Sequence, residues 1–285
     1  MTPGPTQVPE ESLSLLARQV SHHRTPEFQA LFERTTQGLK DVFQTREGDV
    51  LLLAGSGTAA MEAAVVNAVP RGEKALCLVS GKFSERWARL CETFGITAVE
   101  YAVPWGDPFD PATVRAILSK DREIRAVFTT LCETSTGMGH DIAGISKAID
   151  SIGVTDGTAD GFTGEPSRPL LVVDGISAVG AVECRMDAWK IDLLCVGAQK
   201  ALMGVAGLAM IGVSPTAWKR MEQVPRQAFY FDLFKYRKSA ADRTTPFTPP
   251  KPLIDALAVN IDALRKEGME AVWRRTARLA AAARA

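Results

Sequence analysis

Short apolar segments alternate with amphipathic segments along most of this chain. Seven segments have the composition of buried strands: Val50–Leu53, Lys74–Val79, Ile96–Val103, Arg125–Leu131, Leu170–Val173, Leu193–Val196 and Leu208–Val213. Apolar positions at helical spacing predict helices at Glu10–Val20, Pro26–Phe43, Thr58–Val69, Phe83–Phe94, Pro111–Ser119 and Asp141–Ile152. Strands that alternate with helices form a mostly parallel sheet covered on both faces. The pattern therefore predicts an α/β fold of three layers, α/β/α, around a seven-stranded sheet. A short turn joins the last two strands, so one antiparallel neighbour should make the sheet mixed.

Prolines and glycines predict where this domain is interrupted. Met1–Pro9 contains three prolines and should form an extended arm, and the Gly-rich stretch Thr155–Arg168 should be a surface excursion. Thr244–Pro252 contains four prolines and should break the chain before one long helix that runs from Leu253 to the end. We expect an arm and first helix at 1–20, a large domain at 21–252, and a linker helix at 253–285 that leads to a small C-terminal domain absent from this chain.

The charge and cysteine content of the 285 residues excludes several classes of protein. Lys and Arg together number 33, as do Asp and Glu, so the balance does not favour binding to nucleic acid or to anionic membranes. No apolar run reaches membrane-spanning length, and the Pro-rich start lacks the apolar region of a signal peptide. Five cysteines show no metal-binding spacing: Cys77, Cys91, Cys132, Cys184 and Cys195. We expect reduced cysteines, no metal site and a cytoplasmic protein.

The stretch Ile191–Val213 contains one lysine, Lys200, between two buried strands. Gln199 precedes it, and small or apolar residues surround it on most other sides. A lysine at the end of a buried strand can be a reactive amine, because desolvation favours its neutral form and a neutral amine can form a Schiff base with a carbonyl. It can equally be a strand-end lysine whose charged head extends into water. This stretch alone leaves both interpretations open.

A Gly-rich turn, Gly55–Thr58, follows the first predicted strand and precedes a helix. Glycines let the backbone approach a ligand, and the free N–H groups at a helix N-terminus attract anions. The turn indicates either a phosphate site or merely a tight connection. Its spacing matches neither a P-loop nor a dinucleotide-binding motif, which disfavours ATP and NAD.

Two further segments place polar groups at the carboxyl end of predicted strands, where ligands bind in open α/β sheets. Asp174 follows an apolar strand and could cap a helix or bind a protonated ring nitrogen. Lys200 lies 26 residues later, at the end of the next strand, so both should lie at the same edge of the sheet. Ser135 and Thr136 follow another strand and could contact a ligand or form only a polar turn.

Taken together, these segments resemble the class V aminotransferases, which are pyridoxal 5′-phosphate enzymes of fold type I. The alanine–glyoxylate and serine–glyoxylate aminotransferases are the most similar branch. Seven motifs in family order carry the resemblance over nearly the whole chain: Pro3–Pro9 (PGPTQVP), Gly55–Thr58 (GSGT), Gly81–Trp87 (GKFSERW), Glu133–Gly137 (ETSTG), Val173–Ser177 (VDGIS), Gly197–Leu202 (GAQKAL) and Thr245–Pro250 (TPFTPP).

The resemblance implies a transaminase that uses a ping-pong mechanism. It would move an amino group from a small L-amino acid, such as alanine or serine, to a 2-oxo acid such as glyoxylate or pyruvate. Lys200 would form the Schiff base with the cofactor and move a proton, and Asp174 would pair with the ring nitrogen. Residues expected to hold the cofactor phosphate are Ser56, Gly57, Thr58 and Gln199.

The remaining implied contacts surround the cofactor ring and the substrate. Phe83 would stack on one face of the ring and Ile176 would cover the other, while Ser135 would face the ring oxygen. Gly4 would line the substrate pocket. Thr248 would reach across the interface of a homodimer to the partner's cofactor phosphate.

Two departures from the family pattern qualify these expectations. Gly204–Gly207 (GVAG) replaces a Pro-Pro-Gly turn, which should loosen the loop beside Lys200. No residue can be assigned as the arginine that binds the substrate carboxylate, so a catalytically silent cofactor-binding dimer is one alternative. A cysteine desulfurase-like lyase is another, but those relatives carry histidines where this chain has Phe83 and Gln199.

Overall fold

The computed structural model describes residues 3–152 and 168–285. Its strands are β1 Asp49–Ala54, β2 Lys74–Val79, β3 Thr97–Ala102, β4 Ile124–Thr130, β5 Cys132–Glu133, β6 Met138–Gly139, β7 Leu170–Asp174, β8 Leu193–Gly197 and β9 Leu208–Val213. Its helices are α1 Glu10–Leu16, α2 Pro26–Phe43, α3 Gly57–Ala68, α4 Glu85–Thr93, α5 Pro111–Lys120, α6 Ile142–Ser151, α7 Pro215–Met221, α8 Leu233–Ala241, α9 Lys251–Glu267 and α10 Met269–Arg284.

Seven of the strands form one mixed sheet in the order β1-β9-β8-β7-β4-β2-β3. Strand β9 runs antiparallel to both of its neighbours, β1 and β8, and the other pairs are parallel. The predicted mixed seven-stranded sheet is therefore confirmed. Because β1 and β8 flank the one reversed strand, β1 points in the same direction as β8, β7, β4 and β2. The carboxyl ends of these five strands meet at one edge of the sheet, which we call the carboxyl edge.

Helices cover both faces of the sheet, as the alternating burial of the strands requires. Val50 and Leu52 point into a core formed with α2, α5, α6 and α9, which contains Phe43. Leu51 and Leu53 point into a second core formed with α3, α4, α7 and α8. The three-layer α/β/α architecture is confirmed, and both faces of every central strand are buried.

The structure corrects several predicted helix boundaries. The first helix ends at Leu16 instead of Val20. The predicted long C-terminal helix is two helices, because Gly268 has φ +83°, a left-handed conformation that interrupts α9 and begins α10. The surface excursion predicted at Thr155–Arg168 lies outside the described residues apart from Arg168.

Two helices and a hairpin were not predicted. Helix α7 begins at Pro215 after Ser214, whose hydroxyl accepts the Ala217 N–H at 2.9 Å. Helix α8 follows Asp232, whose carboxylate accepts the Phe234 N–H at 3.1 Å. Both capping residues were visible in the sequence. The β5–β6 hairpin has two residues in each strand, too few for a periodic signal.

Helix α9 packs into the first core beside α2. A Cβ atom on Gly38 of α2 would lie 2.5 Å from the Ile261 side chain, so the two helices approach closely at this glycine. Arg265 of α9 forms an ion pair with Asp41 of α2 at 2.6 Å. Within the described ranges, no helix is both long enough and apolar enough to cross a membrane.

Candidate active site

Five connections leave the carboxyl edge and carry nearly all of the residues predicted to form a site. Asp174 is the last residue of β7, and Lys200 follows β8 by three residues. The turn Gly55–Thr58 joins β1 to α3, the loop Gly81–Ser84 joins β2 to α4, and Glu133–Gly137 follows β4. Parallel strands bring these segments together although as many as 145 residues separate Gly55 from Lys200 in the sequence.

Lys200 lies in a tight turn between β8 and β9. Hydrogen bonds close this turn, from Met203 N to the Lys200 carbonyl at 2.8 Å and from Gly204 N to the Ala198 carbonyl at 2.7 Å. The Lys200 side chain is partly exposed, and its Nζ donates to the carbonyl of Pro3 at 3.2 Å. The amine is therefore accessible and is held by a backbone acceptor.

The N-terminal arm, residues 3–9, lies directly against this lysine. Thr6 anchors it, because its N–H donates to the Gln199 carbonyl at 3.0 Å and its hydroxyl donates to the Lys200 carbonyl at 2.7 Å. A Cβ atom on Gly4 would lie 2.7 Å from Lys200 Cδ, and Gly4 has φ +130°. The structure thus places Gly4 beside Lys200, and no larger residue fits there without displacing the arm or the lysine.

The turn after Lys200 is anchored by Asn260 of α9, a residue that the sequence analysis did not identify. Its side-chain amide donates to the carbonyls of Leu202 and Met203 at 3.1 and 2.8 Å, and its oxygen accepts the Ser12 hydroxyl at 2.5 Å. Asn260 is 1% exposed. The turn that lacks the family's prolines is therefore held by side-chain hydrogen bonds. Asn260 could have been recognised from the sequence, because it is a polar residue among the apolar positions of a predicted helix.

Asp174 is buried, and the hydrogen bond described for its carboxylate comes from Ile176 N at 2.8 Å. Burial raises the pKa of Asp174 to about 6. The hydrogen bond and the positive charges of Arg86 and Lys200 oppose this rise, and the negative charge of Glu133 adds to it. A carboxylate in this environment should gain much from a cationic hydrogen-bond donor.

Two glycines, Gly57 and Gly197, let Ile176 and Gln199 pack directly against the N-terminus of α3. A Cβ atom on Gly57 would lie 2.6 Å from Ile176 Cδ1, and one on Gly197 would lie 3.0 Å from Gln199 Oε1 and 3.3 Å from Ile176 Cγ2. Ser56 precedes the helix but its side chain forms no capping hydrogen bond. The Gln199 Oε1 atom is buried without a hydrogen-bond partner among the described residues. Free helix N–H groups and the free Ser56 hydroxyl are donors that suit an anion, whereas the Gln199 Oε1 atom is an acceptor.

Phe83 and Thr58 are linked by Arg86, a second residue that the sequence analysis missed. The Arg86 guanidinium donates to the Thr58 hydroxyl at 2.9 Å and lies 5.3 Å from the centre of the Phe83 ring. Among the described residues, no carboxylate lies within ion-pair distance of Arg86. This uncompensated positive charge adds to the attraction for an anion at the start of α3.

Glu133 is a third residue of the site for which the sequence predicted no role, although it begins the motif Glu133–Gly137. It is fully buried, and its carboxylate accepts hydrogen bonds from Phe83 N, Ser84 N and Ser135 N. Ser135 lies at an exposed position, and its hydroxyl also donates to Glu133, at 2.7 Å. Glu133 therefore connects the loop of Phe83 to the loop of Ser135.

Thr248 lies apart from this group. It is exposed in the segment before α9 and lines a shallow pocket with Ala54 and Leu208. No hydrogen bond or ion pair among the described residues joins it to Lys200 or Gln199. Its neighbour Phe247 stacks on Tyr230, with ring centroids 4.7 Å apart.

The site combines four chemical features that suit one kind of ligand. It offers an accessible amine at Lys200, a buried carboxylate at Asp174, an anion site at the start of α3, and an aromatic ring at Phe83. A flat, phosphorylated heterocycle with a carbonyl group and a basic ring nitrogen would satisfy all four features.

Comparison with known proteins gives an independent test of this interpretation. A protein-family model described as "Aminotransferase class-V" matches residues 7–285. The chain is 38% identical over 287 residues to the small subunit of a soluble hydrogenase from Synechococcus sp. PCC 6716, covering 100% of this chain and 71% of that protein. It is 34% identical over 285 residues to an L-aspartate–glyoxylate aminotransferase from Paracoccus denitrificans, covering 99% of this chain and 69% of that enzyme.

Solved structures agree with the sequence comparison. The crystal structure of an alanine–glyoxylate aminotransferase from Nostoc sp. superposes with a TM-score of 0.87 at 27% identity. The superposition covers 96% of this chain and 70% of that one.

Proposed function

The chain belongs to the class V aminotransferases, and we propose that it moves an amino group from a small L-amino acid to glyoxylate or pyruvate. It is a pyridoxal-phosphate-dependent aminotransferase of fold type I. The observation that carries the substrate proposal is the combination of Lys200 and Asp174 at neighbouring strand ends with Gly4 packed directly against the Lys200 side chain. Glyoxylate is supported because it appears in the names of the Paracoccus and Nostoc relatives.

Pyridoxal phosphate supplies a carbonyl that reacts with amines and a ring that accepts electrons from the bond that breaks. We assign the attachment point to Lys200, whose amine extends from the turn after β8. Once a substrate amine has displaced it, Lys200 Nζ would take the proton from the substrate Cα and later return one. The Pro3 carbonyl, 3.2 Å from Nζ, would orient the amine during these transfers.

Asp174 would bind the protonated ring nitrogen. A buried carboxylate whose pKa is raised to about 6 lacks sufficient compensation in the protein, so a cationic partner should stabilise it strongly. We assign phosphate binding to Ser56, Gly57, Thr58 and Gln199, at the N-terminus of α3. Phe83 and Ile176 would enclose the ring from opposite faces, and Ser135 would lie on its oxygen side.

We also propose that the protein is a homodimer in which Thr248 reaches the partner's cofactor phosphate. Thr248 is exposed, and among the described residues no hydrogen bond or ion pair joins it to Lys200 or Gln199 of its own chain. Beside it lies an aromatic surface that includes Phe229, 75% exposed, and Tyr230, 38% exposed. Exposed aromatic side chains in one area are typical of a surface covered by another protein.

We propose a cytoplasmic location because the cysteines are not paired in disulfide bonds. All five are free, and Cys77 and Cys91 remain unbonded thiols although their sulfur atoms lie 3.9 Å apart. Unpaired thiols of this kind are typical of reducing compartments.

An absorption spectrum with pyridoxal phosphate tests the proposed function. Addition of L-alanine, L-serine or L-aspartate should replace a band at about 400–430 nm with one near roughly 330 nm, and glyoxylate should reverse the change. The glycine produced is then quantified by chromatography. A band that forms but does not respond to amino acids would show that this chain binds the cofactor without transaminating, as the silent-dimer alternative holds.

A further inference from the structure

A fully buried carboxylate at the carboxyl edge has no cation beside it. Glu133 is 0% exposed, and no Lys, Arg or His among the described residues lies within ion-pair distance of it. Burial of a charge is costly unless hydrogen bonds or an opposite charge compensate. The compensation here comes entirely from N–H and O–H groups.

These donors come from two separate loops. Phe83 N and Ser84 N, at 3.2 and 2.8 Å from Oε2, belong to the connection between β2 and α4. Ser135 N and the Ser135 hydroxyl, at 3.0 and 2.7 Å from Oε1, belong to the loop after β4. Phe83 N is also within 3.3 Å of Oε1, so the carboxylate as a whole joins the two loops.

The two loops are also in close contact through Gly81. A Cβ atom there would lie 2.5 Å from Glu133 Cγ and 2.6 Å from Ser135 Oγ. The Ser135 hydroxyl accepts Lys82 N at 3.1 Å, which adds a direct connection between the loops. The side chain of Glu133 therefore fills a space that only a glycine at position 81 leaves open.

Another buried carboxylate shows what a purely structural role looks like in this fold. Asp192 is 1% exposed and lies at the opposite edge of the sheet, immediately before β8. It accepts Leu171 N at 2.8 Å and the Ser214 hydroxyl at 2.9 Å, and it is paired with the Arg168 guanidinium at 2.9 Å. Asp192 therefore has the cation that Glu133 lacks, and its contacts join the amino ends of β7 and β8 to the residue after β9, at the edge opposite the site.

We propose that Glu133 is a positioning residue: its carboxylate sets the placement of the Phe83 ring and of Ser135 relative to the cofactor. The proposal rests on the cofactor contacts assigned above to Phe83 and Ser135. Four donors that converge on one ionised group allow one arrangement of the two loops, because any relative movement leaves a buried charge without partners.

The ionisation of Glu133 is consistent with this role. Burial raises the pKa of Glu133, but hydrogen bonds from Ser135 and Ser84 outweigh burial and hold the pKa below its ordinary value. The group is therefore an acceptor at both oxygens at neutral pH. A glutamine would place an amide NH2 group against at least one of the N–H or O–H donors.

The experiment compares Glu133→Gln with Asp192→Asn, since both replace a buried carboxylate by its amide. The first measurement is hydrogen exchange on the cofactor-free proteins. Glu133→Gln should increase exchange at the amides of Phe83, Ser84 and Ser135, whereas Asp192→Asn should leave these amides as protected as in the wild type. This measurement does not depend on the cofactor, so it tests the inference even where the proposed function fails.

The second measurement is the Kd for pyridoxal phosphate, with the circular dichroism of the bound cofactor. If glutamine lowers the population of correctly arranged loops to about one tenth, the Kd should rise about 10-fold. The dichroism should weaken, because the ring is less rigidly held. Asp192→Asn should change the Kd by less than about 2-fold, because Asp192 lies at the opposite edge of the sheet from the site.

Two outcomes would overturn the inference: unchanged exchange and Kd in Glu133→Gln, or an equal rise in Kd in both variants, which would indicate a general loss of stability. If Glu133→Gln does not fold, Glu133→Asp keeps the charge but is one methylene too short to reach both loops, and it should increase exchange at the amides of Phe83 and Ser84 and raise the Kd by about 3-fold; unchanged exchange and Kd in that variant would contradict the proposal. A wild-type protein that binds no cofactor would instead refute the proposed function.

Discussion

Replacement of Asp174 by asparagine should stabilise the cofactor-free protein while it disables the enzyme. The pKa of this carboxyl rises from an ordinary value of 3.8 to about 6, chiefly because it is buried. The difference of about 2.2 units corresponds to about 3 kcal/mol of unfavourable free energy at pH 7.5, at about 1.36 kcal/mol per unit. Asparagine keeps the size of the side chain and an acceptor for Ile176 N, but it has no charge to bury.

The sign of the pH dependence follows from the order of the two pKa values. Since the folded value lies above the unfolded one, the native wild type binds more protons between about pH 4 and 6, and its stability falls as pH rises through that range. The free energy of unfolding of Asp174→Asn should therefore exceed that of the wild type by about 1 kcal/mol at pH 4.5 and by about 3 kcal/mol at pH 7.5. A chain of this length has an unfolding entropy of about 0.6 kcal/mol per degree. These differences therefore correspond to increases in melting temperature of about 2 °C at pH 4.5 and about 5 °C at pH 7.5.

The assay is differential scanning calorimetry of both cofactor-free proteins at four pH values, followed by activity with the cofactor present. Loss of one partner from a buried charged pair costs about 3–5 kcal/mol, so activity should fall roughly 10² to 5 × 10³-fold. Asp192→Asn is the control for position: burial raises the pKa of Asp192 as well, but the residue lies outside the site, so its replacement should leave cofactor-dependent activity unchanged. A melting temperature for Asp174→Asn at or below that of the wild type at pH 7.5, or an advantage that does not shrink toward pH 4.5, would refute the reasoning.

Three other substitutions test individual contacts. Lys200→Ala should remove the cofactor absorbance at about 400–430 nm while equilibrium dialysis still detects bound cofactor, and an unchanged spectrum would disprove the assignment of the lysine. Gly4→Ala should raise the KM for the amino acid at least several-fold, because its Cβ would collide with Lys200, whereas Gly106→Ala, also at positive φ but with open space around its Cβ, should not. Light scattering should report a dimer, and Thr248→Val should weaken cofactor binding about 5- to 10-fold through loss of one phosphate hydrogen bond; a monomer that binds the cofactor normally would contradict both expectations.

Much of the fold was predictable because its signals are local. Strands Lys74–Val79 and Leu208–Val213 and helix Pro26–Phe43 have the predicted bounds, since buried strands and amphipathic helices leave their periods directly in the sequence. The break at Gly268 was missed, because a glycine within a helical pattern does not itself show whether its φ is positive. Helices α7 and α8 begin at ordinary capping residues, Ser214 and Asp232, that could have been recognised.

The site was predictable in part for a topological reason. Parallel strands point their carboxyl ends the same way, so Asp174 and Lys200, at the ends of consecutive parallel strands, had to lie at one edge. The roles of Glu133, Arg86 and Asn260 were not predictable in this way. Each acts through partners that are distant in sequence, as when Asn260 bonds the turn at Leu202 from 58 residues away.

The sequence by itself determined the order of strands and helices, the reactive groups available and the family to which the chain belongs. The tertiary structure decided which of these groups are buried and what meets them. Burial raises the pKa of Asp174, and four donors from two loops hold Glu133 ionised without a cation. Desolvation and hydrogen bonding depend on atoms brought together from remote parts of the chain, whereas periodicity and motif spacing are properties of neighbouring residues, and only the latter can be obtained from one sequence.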